Sequence, residues 1–280
     1  MTYEGIDTAG RISADKARIL RENGISFIAR YLVPETLWKA LSKQEASDIR
    51  HAGLALMLCW EIGSDDIKQG AAKGAEHGRR ARELAEGMGV PAGTCIYFAA
   101  DYNVPEKDYT AVEQYMIAAQ TALGSRYVAG LYGPLGIVDF LAKRGSVKRF
   151  WQCVAWSDHF SETATVRQYA HQGDARAKAV AARIGVDVDL NVCDTLTGMW
   201  GIPVPQDGYD DGEGGTIIEY TGGTQSASPW YAEAMAWAKE RHIINDGRPN
   251  DPVTRAELAT VLYRIMGPED EKKDSGLLSE

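Results

Sequence analysis

Over the first 200 or so residues, short runs of apolar, β-branched and aromatic residues alternate with longer stretches in which apolar positions recur every three or four residues. The first pattern is that of buried or half-buried strands and the second that of helices lying with one face on a core. It predicts strands at residues 4–8, 26–32, 55–62, 94–102, 127–132, 149–156, 165–171 and 186–192. Helices are predicted at 13–23, 42–51, 65–87, 106–123 and 135–144, while the last two crossovers are thin or irregular. Ser13 sits where an N-cap belongs, Ser42 and Glu45 have capping-box spacing, and Gly24 and Gly53 supply stops. Gly70, Gly74 and Gly78, four apart, would share one face of the third helix and let it pack closely on the barrel.

Eight strands joined through helices in about 200 residues imply a (β/α)₈ barrel of the TIM type, near the short end of that fold's range. The competing architecture is an open doubly wound sheet. That fold usually carries a Gly-rich phosphate-binding turn after its first strand, whereas here the strand runs into Asp7-Thr8-Ala9-Gly10. The barrel is therefore the expectation for residues 1–200. Periodicity stops over 201–228, which holds seven glycines, five acidic residues and no Lys or Arg, and reads as a flexible acidic linker. It returns over 229–267, where Trp230, Trp237 and the Ile243-Ile244 pair suit a helix and turn before a second helix capped by Thr254 and Glu257. Residues 268–280, charged and without period, read as a disordered tail.

Charge sharpens this division. The chain of 280 residues carries a formal charge of −9, with 23 basic and 24 acidic residues in 1–200 but 7 and 15 in 201–280. Neither part offers the basic surface that nucleic acid or an anionic membrane needs. No apolar run approaches a membrane span, and residues 1–10 lack the basic start and apolar stretch of a secretory signal, which implies synthesis in the cytoplasm without one. Cys59, Cys95, Cys153 and Cys193 lie far apart within predicted strands, without metal-site spacing. They are expected to be free, buried thiols in separate packed environments.

Candidate chemistry gathers at the strand ends, where the loops of a barrel build one mouth. Asp7, Glu61 and Asp101 follow the first, third and fourth strands, and Asp189 lies in the eighth. By strand alternation Asp7 shares a face with Gly5, Glu61 with Cys59, and Asp101 with Cys95, Tyr97 and Ala99, so these three acids should point inward. A desolvated carboxyl with a raised pKa beside an ionised one is the equipment of glycoside hydrolysis. Tyr31, Trp60, Tyr102, Tyr132, Trp156 and Tyr169, with Gln152 and Gln168, fall near the same ends and could stack on sugar rings or bond their hydroxyls. A nucleophile elbow, a zinc-peptidase motif, a phosphate loop and a clustered metal-ligand set are all missing, and no cofactor or metal is expected.

Gly5-Ile6-Asp7, Tyr97-Phe98-Ala99-Ala100-Asp101-Tyr102-Asn103, Trp151-Gln152 and Val188-Asp189-Leu190-Asn191 together resemble the glycoside-hydrolase-like domain of unknown function 1906, itself similar to the family 25 lysozymes. The resemblance spans about residues 3–195. It implies a (β/α)₈-like muramidase acting on peptidoglycan. Among the strand-end acids we assign Asp101 as leading acid, Glu61 as its partner, and Asp7 and Asp189 as positioning substrate or tuning them. The lysozymes carry an Asp-x-Glu pair at the end of strand four; here either Ala99 replaces the Asp or Asn103 replaces the Glu. Residues 230–264, with Thr254-Arg255-Ala256-Glu257, resemble an S-layer homology repeat, which implies binding of a secondary cell-wall polysaccharide through Arg255 and Trp230. One repeat stands where three are common, so a complete site would call for oligomerisation or another chain. The expectation is a two-part, phage-endolysin-like hydrolase acting at the bacterial cell wall; the alternative is an inactive wall-glycan binder.

Overall fold

The computed structural model describes residues 2–201. The linker, the wall-binding module with Trp230 and Arg255, and the tail expected from the sequence lie outside the described residues.

Eight strands close into a barrel in sequence order: β1 (Tyr3–Asp7), β2 (Ile25–Tyr31), β3 (Ala55–Trp60), β4 (Cys95–Ala99), β5 (Val128–Gly133), β6 (Phe150–Gln152), β7 (Val166–Ala170) and β8 (Asp189–Cys193). Neighbours from β1 to β7 are parallel, whereas β8 runs antiparallel to both β7 and β1. The barrel is thus TIM-like with its last strand reversed. Most strands are shorter than the apolar runs suggest, most of all β6, because aromatic residues continue into the loop beyond it.

Helices α1 (Ala14–Glu22), α2 (Lys43–His51), α3 (Ala71–Met88), α4 (Tyr109–Leu123) and α5 (Leu135–Arg144) follow β1 to β5. Ser13 and Ser42 are the N-caps, their side chains accepting from the backbone N–H of Lys16 and Glu45. No helix links β6 to β7 in the described chain, and α6 (Ala175–Ile184), absent from the sequence reading, precedes β8. Only Ala177 and Ile184 of α6 are buried, so its apolar stripe is too thin to stand out as periodicity. The predicted long third helix is split: Asp66–Gln69 forms a 3₁₀ turn, and Gly70, at φ 75°, separates it from α3. Gly74 and Gly78 pack on α4 rather than on the barrel, where an added Cβ would meet the backbone oxygens of Tyr115 and Ala119 at 2.2 and 2.6 Å.

Two apolar layers result from strand alternation. The outer one lies between strands and helices. The inner one fills the barrel with residues such as Phe27, Met57, Tyr97, Tyr132 and Trp151, and residues 196–199 contribute Leu196 and Met199 to it. All four cysteines are free and buried, but they share this one interior rather than separate environments. Burial holds their thiols well above the ordinary range, Cys95, Cys153 and Cys193 at about 12, which makes them inert packing groups.

Candidate active site

The polar mouth sits at the C-terminal ends of the parallel strands. Asp7 ends β1, and Asp189 starts β8 as its register partner, because the antiparallel strand enters the barrel from that end. Beneath Asp7, Gly5 leaves room for Phe27, whose ring would lie 2.4 Å from an added Cβ.

Two buried amides organise this pair. Asn191 Nδ2 donates to Asp7 Oδ2 at 2.6 Å, and Gln168 Nε2 donates to the same oxygen at 3.0 Å and to Asp189 Oδ2 at 3.2 Å. Their orientation is set from the aromatic layer below. Trp151 Nε1 donates to Asn191 Oδ1 at 2.7 Å and the Tyr132 hydroxyl donates to Gln168 Oε1 at 3.2 Å. Since an indole N–H can only donate, Asn191 must turn its oxygen to Trp151 and its nitrogen to Asp7. Burial first, and then the charge of Asp189, pushes the Asp7 carboxyl up to about 7; the two amide donors oppose this without cancelling it. Asp189 is also raised, chiefly by burial, against the backbone N–H of Gln172 that donates to its Oδ1 at 2.6 Å.

Two strands further round the mouth from Asp7, Glu61 follows β3 and forms an ion pair with Lys39, 2.6 Å between Oε1 and Nζ. The Lys39 ammonium also lies 4.4 Å from the centre of the Tyr31 ring. Asp101 follows β4 and is raised by burial and by the charge of Glu61, with Lys39 opposing. The four carboxylates called from the sequence therefore meet in one electrostatic cluster. A cavity of about 410 Å³, within the range of small-molecule sites, opens beside Asp7 and Asp189 and is lined also by Tyr31, Trp38 and Gln172.

The loop after β1 is anchored from behind by a buried ion pair. Arg30 Nε meets Glu45 Oε1 at 2.7 Å, both side chains being 1% exposed. Arg30 Nη1 donates to the Thr8 carbonyl at 2.7 Å, and Glu45 Oε1 accepts from the Ile12 N–H at 2.8 Å. The Thr8 hydroxyl donates to the Asp187 carbonyl at 2.6 Å, tying the loops that flank Asp7 and Asp189 together. Glu45 thus keeps its backbone role in the cap while its carboxylate serves Arg30.

Of the expected substrate-contacting residues, Tyr31, Tyr132 and Gln168 lie in or beneath the mouth. Four others do not face it, for a reason of alternation. Trp60, one residue from inward Cys59, turns outward against His77, with ring centroids 5.2 Å apart. Tyr102 packs on the outer layer and its hydroxyl donates to Asp108 at 3.3 Å. Gln152 backs inward Trp151 and holds the next loop, donating to the His159 carbonyl and accepting from the Ser161 N–H, both at 2.7 Å. Tyr169 bonds Glu4 on the outer face of β1. Trp156, in the loop after β6, is exposed. The sequence reading missed Asn191, Trp38 and Lys39; Asn191 could have been found by its i, i+2 relation to Asp189. Among the described residues no group of three His, Cys, Asp or Glu side chains is arranged to hold a metal ion.

Comparison with known proteins fits this geometry. The chain is 27% identical over 169 residues to a Mycobacterium tuberculosis protein named "Putative peptidoglycan hydrolase Rv2525c", a match covering 59% of this chain and 68% of that one. It is 29% identical over 166 residues to "Uncharacterized protein YbfG" of Bacillus subtilis, covering 52% of this chain but only 22% of that longer protein. The crystal structure of the Tat-secreted Rv2525c with L-tartrate superposes with a TM-score of 0.61 at 25% identity, covering 71% of this chain and 98% of that one. Residues 18–193 match the family profile itself, and the chain belongs to the Rv2525c-like, glycoside hydrolase-like domain family.

Proposed function

We propose that the barrel hydrolyses the glycan strand of peptidoglycan by carboxylate acid–base catalysis, cutting a β-1,4 linkage as a muramidase does. The observation that carries this reading is Asp7, a carboxyl with a pKa of about 7 beside an open cavity. A general acid works best when its pKa lies near the working pH, because it is then both protonated and able to give the proton up. Asp7 donates that proton to the glycosidic oxygen as the C–O bond breaks. Asp101 and Glu61, facing it from β4 and β3, stabilise the developing oxocarbenium charge or take a proton from the incoming water. The proton donor is thus Asp7 rather than Asp101, and Asp189 acts on it through charge. The mycobacterial relative's name supports peptidoglycan as substrate.

Beyond the barrel the proposal rests on the sequence. Residues 201–228 tether a wall-binding module at 229–267, in which Arg255 and Trp230 hold a secondary cell-wall polysaccharide, and the whole chain acts at the cell wall in the manner of an endolysin. Mass spectrometry of muropeptides released from purified walls tests the chemistry. New reducing ends, lost in Asp7→Asn, are expected; new amines would overturn the glycosidase reading. Wall co-sedimentation without products would favour the non-catalytic binder, a reading that the Ala99 and Asn103 departures from the lysozyme pattern motivate.

A further inference from the structure

Resting on that reading of the mouth as a glycan site, we propose that Trp38 and Trp156 are opposed stacking platforms, and that the ligand is a glycan chain several sugar units long lying across the whole mouth. Among the described residues three large apolar side chains are exposed: Trp38 at 81%, Trp156 at 50% and Ile117 at 49%. Ile117 lies on α4, outside the barrel. The two tryptophans instead sit in loops that follow parallel strands, β2 and β6, and so belong to the same end as the four carboxylates.

Their separation follows from topology. In a closed ring of eight, β2 and β6 are four strands apart and hence on opposite sides. Strands about 4.8 Å apart and tilted by about 36° close to a ring roughly 15 Å across. Trp38 borders the cavity with Asp7 and Asp189, so a single sugar or a disaccharide can reach it. Reaching Trp156 as well takes a longer chain.

Trp156 is held in place rather than loose. Its φ of 55° is left-handed, a conformation that a bulky residue keeps only where its surroundings impose it. Gln152 clamps the loop at His159 and Ser161, and the Leu135 N–H donates to Ser157 Oγ at 3.1 Å. An exposed indole in the loop at each side, with the carboxylates between, matches the alternating character of a glycan. The apolar faces of its rings stack on aromatics and its hydroxyls bond to the acids.

The test uses the full chain in an Asp7→Asn background, so that ligand is not consumed, and peptide-free peptidoglycan glycan strands fractionated by length, with affinity read by calorimetry. Trp156→Ala should weaken long strands roughly threefold to tenfold and leave the disaccharide unchanged, whereas Trp38→Ala should weaken both. Trp156→Phe should restore most of the loss. An unchanged affinity of Trp156→Ala for long strands, or a loss independent of length, overturns the proposal. So does a chain whose self-association, measured by ultracentrifugation, depends on Trp156 while its glycan affinity does not, since the patch would then serve a second copy. Length-dependent binding by a protein whose parent yields no new reducing ends would refute the hydrolase reading alone. New reducing ends together with tryptophan variants that bind normally would refute only the platforms.

Discussion

On the β1–β8 side of the mouth, Asp7 and Asp189 are register partners bridged by the neutral amide of Gln168; on the β3–β4 side, Glu61 meets the ammonium of Lys39 within reach of Asp101. The same side-chain chemistry at the same end of one barrel is thereby given two electrostatic settings. Neutral donors hold a carboxylate in place but cannot offset burial together with a second negative charge, so the Asp7 carboxyl is pushed up to about 7. A full positive charge at hydrogen-bond distance supports a negative partner directly. Burial raises Asp7 and Asp101 alike; on the β1–β8 side a second carboxylate adds to it, and on the β3–β4 side Lys39 opposes it.

The largest expected effect tests the proton donor. Asp7→Asn should lower glycan hydrolysis by about a thousandfold, within the range for losing acid–base assistance, as measured by reducing ends released. The same variant should be more stable than its parent at high pH. The Asp7 carboxyl titrates near 3.8 when unfolded and near 7 when folded, so below about 4 it is protonated in both states and has no effect. Between those values the unfolded chain releases the proton that the folded chain keeps, and stability falls as pH rises; above 7 the penalty is constant. Thermal melts at pH 8 should therefore favour Asp7→Asn, with a flatter dependence on pH. A less stable variant would show that Asp7 is a structural anchor.

Glu61→Gln should lower activity about a hundredfold and leave the midpoint of the high-pH limb in place, because Glu61 is not among the charges that raise the Asp7 pKa. If that limb moved as far as it does on changing a partner of Asp7, the two sides would not be separable. Asn191→Leu is such a partner. Its amide lowers the Asp7 pKa, so removing it should raise that pKa and carry the high-pH limb upward, with about a tenfold loss in kcat from poorer positioning. The smallest effect is expected from Trp60→Phe. That indole faces the helices and its buried Nε1 has no hydrogen-bond partner, so activity should be unchanged and Tm should move by only a few degrees.

How far the site was legible varies residue by residue. The inward faces of Asp7, Glu61 and Asp101 follow from counting by twos along their strands, and the same count, carried one step further, turns Trp60, Gln152 and Tyr169 outward. Counting residues near strand ends, without regard to alternation, is what joined those three to the mouth. Trp38 and Lys39 were not legible because their loop has no period; it is laid against the barrel by the bridge from Tyr31 to Ala40, which pairs residues across a loop. Arg30 and Glu45 each look ordinary in sequence, one in a strand and one in a capping box. Only folding makes them a buried ion pair that shapes the loop beside Asp7.

Over the described residues the sequence by itself determined the number and order of the strands, five of the six helices, and which carboxylates of the parallel strands face inward, since periods of 2 and 3.6 are local properties of the chain. It did not determine the direction of β8. An alternating strand reads the same in either direction, and direction depends on which neighbours it meets. Asp189 opens β8, so in an all-parallel barrel it would lie on the floor, far from the other acids. Reversal of that one strand between β7 and β1 brings Asp189 level with Asp7 and Asn191 within hydrogen-bond reach of it. The raised pKa of Asp7 is thus a tertiary property, arising from burial and from a charge 182 positions away along the chain.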